Sequence, residues 1–118
     1  MTVQKIAERL HELMVQGDKD TAFAELYAKD AVAIEPKFPG FERVEGLDNI
    51  IKKTDGMVAM IQEVKGREVS DVILTAANHF AINIKMDAVM KDGSAFKVDE
   101  ICLYEVRDGK IISEQFFY

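Results

Sequence analysis

Apolar residues recur every three or four positions in the first part of this chain and every second position in the latter part. Val3, Ile6, Ala7, Leu10, Leu13 and Met14 share one face of a helix over about Val3 to Gln16, and Gly17 follows as a stop signal. Asp18-Lys19-Asp20 then offers capping carboxylates to a short second helix with Phe23, Leu26 and Tyr27 on one side, and the two helices should pack as a hairpin. Ala31-Val32-Ala33-Ile34 predicts a short apolar strand ending on Glu35. Pro36-Lys37-Phe38-Pro39-Gly40 cannot extend it, because both prolines lack a donor and Gly40 permits a turn.

Leu47, Ile50, Ile51, Val58 and Ile61 predict a third helix over about Leu47 to Val64, with Gly56 inside it and Gly66 at its end. Strands are expected near Glu68 to Ala76, His79 to Met90, Ala95 to Val106 and Lys110 to Tyr118. Asn78, Lys91-Asp92-Gly93 and Arg107-Asp108-Gly109 separate them, and Asp-Gly is a hairpin signal. The order is α+β: three helices covering one face of a curved, mixed or antiparallel sheet, in a single domain over residues 1–118.

Parity assigns the sheet faces. Phe80, Ile82, Ile84, Met86, Ala88 and Met90 lie on the side facing the helices, as do Phe96, Val98, Cys102, Tyr104 and Val106 in the next strand, and Glu100 falls among them. In the last strand the alternation is weaker. The even set, Ile112, Glu114, Phe116 and Tyr118, is taken as inward. Ile101 and Leu103, joined by Phe117, fall on the outer face and predict a homodimer through the backs of the sheets.

Composition and charge narrow the partners. At 118 residues the chain holds one core, and a net charge of -6 with no basic stripe argues against nucleic acid or an anionic membrane. The start lacks the apolar stretch of a signal peptide and no run is long enough to span a bilayer, so a soluble, cytoplasmic protein is expected. One cysteine, Cys102, excludes an internal disulfide. His11 sits one step off the apolar stripe and His79 on the polar face, neither with a ligand partner at metal spacing, so no metal and no cofactor is expected.

Glu35 is the leading chemical candidate. A carboxylate at the end of an apolar strand faces a dry environment unless paired, and a raised pKa there suits a general base for carbon acids. The plainer alternative pairs it with Lys37 or Arg43. Glu100, kept protonated, or Tyr27, Tyr104 or Tyr118 would donate to the oxygen that becomes negative. If Glu100 and Glu114 both face inward, at least one of the clustered carboxyls holds a proton at neutral pH; for Glu114 a rim ion pair is the plainer reading. The remaining ligand-lining set is Tyr27, Met57, Phe80, Ile82, Met86, Cys102, Tyr104, Phe116 and Tyr118, where methionines serve either as core filling or as an adaptable wall.

Tyr27-Ala28-Lys29-Asp30 leading into a strand, Val44-Glu45-Gly46-Leu47-Asp48-Asn49-Ile50 opening a helix and the closing Asp108-Gly109-Lys110-Ile111 resemble the nuclear transport factor 2-like superfamily, in its SnoaL-like and ketosteroid-isomerase-like branches. The resemblance implies a cone-shaped sheet wrapped on the helices with an internal pocket. It also places Glu35, before Pro36, where those isomerases carry their proton-abstracting aspartate, and Glu100 near their second, protonated aspartate. Their oxyanion-donating tyrosine corresponds to Leu10, so that donor is missing. Two expectations follow: a small cofactor-independent isomerase or lyase acting on an apolar carbonyl compound, or a non-catalytic ligand-binding or dimerisation module of the same fold.

Overall fold

The computed structural model describes residues 1–118, save the side chains of Leu74 and Thr75. Helices α1 (Val3–Gln16) and α2 (Lys19–Leu26) lead into strands β1 (Tyr27–Ile34) and β2 (Arg43–Glu45). Helix α3 (Leu47–Ala59) precedes strands β3 (Ile61–Val69), β4 (Ile73–Ala76), β5 (His79–Met90), β6 (Ala95–Arg107) and β7 (Lys110–Phe117).

Helix α1 begins where the Thr2 hydroxyl accepts from the Lys5 N–H. It ends on Gly17 at φ 74°, whose turn returns the Asp18 N–H to the Leu13 carbonyl. One residue later Asp18 caps α2, accepting from both the Thr21 N–H at 3.1 Å and the Thr21 hydroxyl at 2.7 Å. These back-to-back caps fold the two helices against each other, burying Ile6, Leu10 and Leu13 with Phe23 and Leu26.

The strands form an unclosed seven-stranded mixed sheet in the order β2-β1-β7-β6-β5-β3, with β4 pairing β5. Strands β3 to β7 pair antiparallel, with Asp-Gly turns joining β5 to β6 and β6 to β7, and β1 inserts parallel to β7. Rows of side chains consequently cross the concave face. Ala33, Glu114, Tyr104 and Phe80 stand in one row, and Phe116, Cys102 and Ile82 in the next.

Three expectations change. The third helix stops at Ala59 rather than Val64, because Ile61 pairs with Met90 and Val64 with Ala88 as an edge strand; Gly66 lies in that strand, beside a register shift. The single strand placed over Glu68 to Ala76 is two strands, β3 and β4, divided at residues 70–72. In β7 a bulge opposite Glu105 and Val106 turns both Ile111 and Glu114 inward, so Ile111 rather than Ile112 fills the core while Glu114 and Phe116 keep the expected side. Parity in β5 and β6 is as expected: Phe80, Ile82, Ala88, Cys102, Tyr104 and Val106 are buried.

Candidate functional site

Glu35 follows the last residue of β1, and its backbone N–H donates to the Glu42 carbonyl across the loop, which pins the carboxylate at the end of the parallel β1–β7 pair. Its side chain turns inward. Lys53 Nζ donates to Oε1 at 2.7 Å and the Tyr118 hydroxyl donates to Oε2 at 3.0 Å. The Lys53 and Glu35 side chains are only 6% and 9% exposed, which makes this a buried ion pair rather than a surface one. The lysine, and neither Lys37 nor Arg43, is thus the partner of Glu35. Arg43 instead pairs with Glu45, and Lys37 donates to the Tyr118 carbonyl.

Lys53 reaches Glu35 from the inward face of α3, three residues after the fully buried Ile50. Its ammonium lies 5.5 Å from the Phe38 ring centroid and 5.2 Å from that of Phe116. Faces of electron-rich rings hold a desolvated cation where water is scarce. Sequence reasoning missed this residue, although a signal existed. The stripe Leu47, Ile50, Ile51 and Met57 skips one turn, and at helical spacing only Lys53 or Thr54 can fill the gap.

Two further carboxyl groups share the concave face. Glu114 on β7 is buried and receives the Tyr27 hydroxyl at 2.5 Å. Burial pushes its pKa up from 4.5 to about 7, against the Tyr27 hydrogen bond and the charge of Lys53, which both lower it; Glu35 adds to the rise. Glu100 on β6, half-buried, is likewise raised to about 7, first by desolvation and next by repulsion from Glu35. The Cys102 thiol lies 3.8 Å from Glu100 Oε1 and is itself pushed up by burial. Tyr27 and Tyr104 are driven well above the ordinary phenol value by desolvation, and Tyr118 rises to about 12, by desolvation and then by its bond to Glu35. Glu35 just after β1, Glu100 on β6 and Glu114 on β7 therefore share the surroundings of one lysine, and burial holds the last two near neutrality.

The residues singled out from the sequence divide into groups. Glu35, Glu100, Glu114, Tyr27 and Tyr118 belong to this hydrogen-bonded and charge-coupled constellation, with Phe116 beside the lysine. Phe80 and Tyr104 stack at 4.9 Å and, with Ile82 and Cys102, are fully buried in the core behind it. Met57 is half-buried on α3. Met86, paired with Arg67 and Val98, lines a depression of about 440 Å3 across β3, β5 and β6. A second depression of about 650 Å3 lies on the outer face between Ile73, Ala81, Asn83, Ile101 and Phe117. Neither is lined by Glu35, Glu100 or Glu114. An internal pocket at the carboxyl groups was expected; in this structure Phe38, Phe116 and Lys53 stand beside Glu35, with Tyr118 bonded across it.

The fold has counterparts among solved structures. A protein from Mesorhizobium loti, provisionally assigned as a SnoaL-like polyketide cyclase, superposes with a TM-score of 0.92 at 30% identity over 100% of both chains. A protein from Bacillus subtilis, provisionally assigned as an isomerase, superposes at 0.76 with 20% identity over 98% of this chain and 88% of its own. A ketosteroid-isomerase-like protein from Catenulispora acidiphila, solved with trimethylamine, superposes at 0.67 with 21% identity over 84% of this chain and 73% of its own. Among curated proteins nothing matches. No helix among the described residues is long and apolar enough to cross a membrane. The SnoaL-like domain family matches residues 1–118 from end to end, and the chain belongs to that family.

Proposed function

We propose that this protein is a small isomerase or lyase that moves a proton on an apolar carbonyl compound without a cofactor, with Glu35 as the base. The observation that carries this reading is the convergence of three carboxyl groups around one buried lysine. Glu35 is held as an acceptor by Lys53 and Tyr118, while Glu100 and Glu114 are poised near neutrality to give or take a proton. Carboxyl groups whose environments separate their proton affinities can divide base and acid roles between them. Cyclase and isomerase assignments among the structural neighbours lend the reading coarse support. The net charge of -6 favours an uncharged substrate over an anionic one.

Glu35 is buried and the Tyr118 hydroxyl occupies its Oε2, so a substrate reaches that oxygen only when this hydrogen bond opens. The test is solvent deuterium exchange at the α-carbons of a panel of cyclic ketones and 1,3-diketones, followed by NMR. Wild-type protein should catalyse the exchange, and Glu35→Gln should slow it by roughly 10²–10⁴-fold while leaving circular dichroism unchanged. Exchange no faster than in buffer across the panel, or undiminished in the variant, would end the proposal.

The second reading, a binding or dimerisation module, is favoured by the outer-face depression. Ile73, Ile101 and Phe117 are exposed there beside Lys85 and Asp99, opposite charges that a two-fold axis would bring together reciprocally. The occupant proposed for that face is a second copy of this chain. Leu103→Lys, in the same strand, should convert the dimer to monomer by light scattering; an unchanged mass would refute the assignment.

A further inference from the structure

We propose that Lys53 is the electrophilic residue of this site: its ammonium, held between the Phe38 and Phe116 rings, receives the negative charge that forms on a substrate oxygen as Glu35 takes the proton. The inference rests on the proton-transfer reading of Glu35 and adds a residue that neither the sequence pattern nor the resemblance supplied.

The geometry carries it through charge conservation. In the resting site one buried negative charge, on Glu35, faces one buried positive charge, on Lys53, at 2.7 Å. When the C–H bond of a carbonyl compound breaks, its proton bonds to a Glu35 oxygen and its electron pair becomes the enolate, with the charge on oxygen. The carboxyl is then neutral and the lysine has lost its partner unless the enolate oxygen replaces it. An enolate oxygen within hydrogen-bond reach of Nζ leaves the pair count unchanged, so the dry site never holds an isolated charge. Returning the proton to a second carbon, or to a departing oxygen, restores the original ion pair. No other reactant is needed.

Lys53 also has hydrogens to spare. An ammonium carries three N–H groups, and among the described residues its hydrogen bond goes to Glu35 Oε1. The two aromatic faces fix the head group without using its remaining donors as conventional hydrogen bonds. The other inward groups are less suited. Glu114 is engaged by Tyr27, Glu100 lies against the Cys102 thiol, and Leu10 stands where the resemblance would call for a donor.

Phenols test this directly, because a phenolate is a flat, delocalised oxyanion that cannot turn over. With 4-nitrophenol as probe, wild-type protein should bind the phenolate form, visible by its absorbance. Lys53→Gln should weaken binding by about tenfold or more and Lys53→Arg should restore most of it. Glu35→Gln, which mimics the protonated base, should bind the phenolate more tightly than wild type. Equal affinity in wild type and Lys53→Gln, or weaker binding in Glu35→Gln, would overturn the assignment. Should Lys53→Gln not fold, the lysine side-chain nitrogen resonance of 15N-labelled wild-type protein decides instead: a shift of the Lys53 signal on adding 4-nitrophenol supports the role, and no shift rejects it. Ketone exchange run in parallel separates the two levels. Exchange that persists undiminished in Lys53→Gln sinks the lysine alone, whereas wild-type protein that neither exchanges ketones nor binds the phenolate sinks the proton-transfer reading itself.

Discussion

Glu35 and Lys53 have both left water, so neither charge tolerates removal of the other. Truncating one member of such a pair strands a desolvated charge, at a cost of about 3–5 kcal/mol. Glu35→Leu and Lys53→Met are each expected to lower the unfolding free energy by about that much, whereas the double substitution, which removes both charges, should recover most of it. Urea denaturation of the four proteins measures the coupling; additive losses would mean that the pair is wetter than its 6% and 9% exposure implies. Tyr27 acts on Glu114 in the opposite sense to burial, donating to the carboxylate at 2.5 Å and holding its proton affinity down. Tyr27→Phe should therefore raise the Glu114 titration midpoint above about 7, read from the 13C carboxyl shift against pH. An unmoved midpoint would mean that the phenol does not donate to the charged form. The inward placement of Glu35 was legible because an apolar strand ended on it. Its partner was not, since a lysine in a helix is ordinarily read as solvent-exposed and only the gap between Ile51 and Met57 marks this one as internal.

Elements with one clean face were the legible ones. Helix α1 and strand β5 have the predicted bounds because α1 buries a single stripe and β5 carries most of its large apolar side chains on one parity set. Strand β3 was misread because it is an edge strand exposed along most of its length, so burial imposes no alternation on it, and Ile61 and Val64 fit helical spacing equally well. The short β2 carries too little pattern to announce itself, and the β7 bulge breaks the period of two in the strand that carries Glu114. Backbone conformation can be tested at the helix level with two glycines that have no neighbour within 4 Å of an added Cβ. Gly17 sits at φ 74°, so Gly17→Ala should destabilise by about 1–2 kcal/mol through backbone strain alone. Gly56 lies inside α3, where Gly56→Ala should stabilise by about 0.5–1 kcal/mol. Chemical denaturation that shows the same sign for both would contradict the assigned conformations.

At the scale of the whole molecule, the concave face concentrates acid that the fold must keep protonated. Unfolded, Glu100 and Glu114 ionise near the ordinary value of 4.5; folded, both hold their protons to about 7. The folded protein thus binds more protons than the unfolded one between those limits, and the sign of linkage follows. The full contribution to stability is present below 4.5, declines as pH rises, and is lost above about 7. For Glu114, the more buried of the two, the rise from 4.5 to about 7 amounts to roughly 3–4 kcal/mol at about 1.4 kcal/mol per tenfold change in proton affinity, as an upper bound. Melting temperature should accordingly fall between pH 5 and pH 8, opposite to a protein whose carboxylates are chiefly salt-bridged. Glu114→Gln, neutral at every pH, should flatten much of that slope and raise the melting temperature at pH 8 above that of wild type. Phenylalanine at Tyr27 should steepen the same slope, because it removes the one hydrogen bond that favours the charged carboxyl. A melting temperature that climbs from pH 5 to pH 8 would place these carboxyl groups in water, and the division of acid and base roles on which the catalytic proposal stands would go with them.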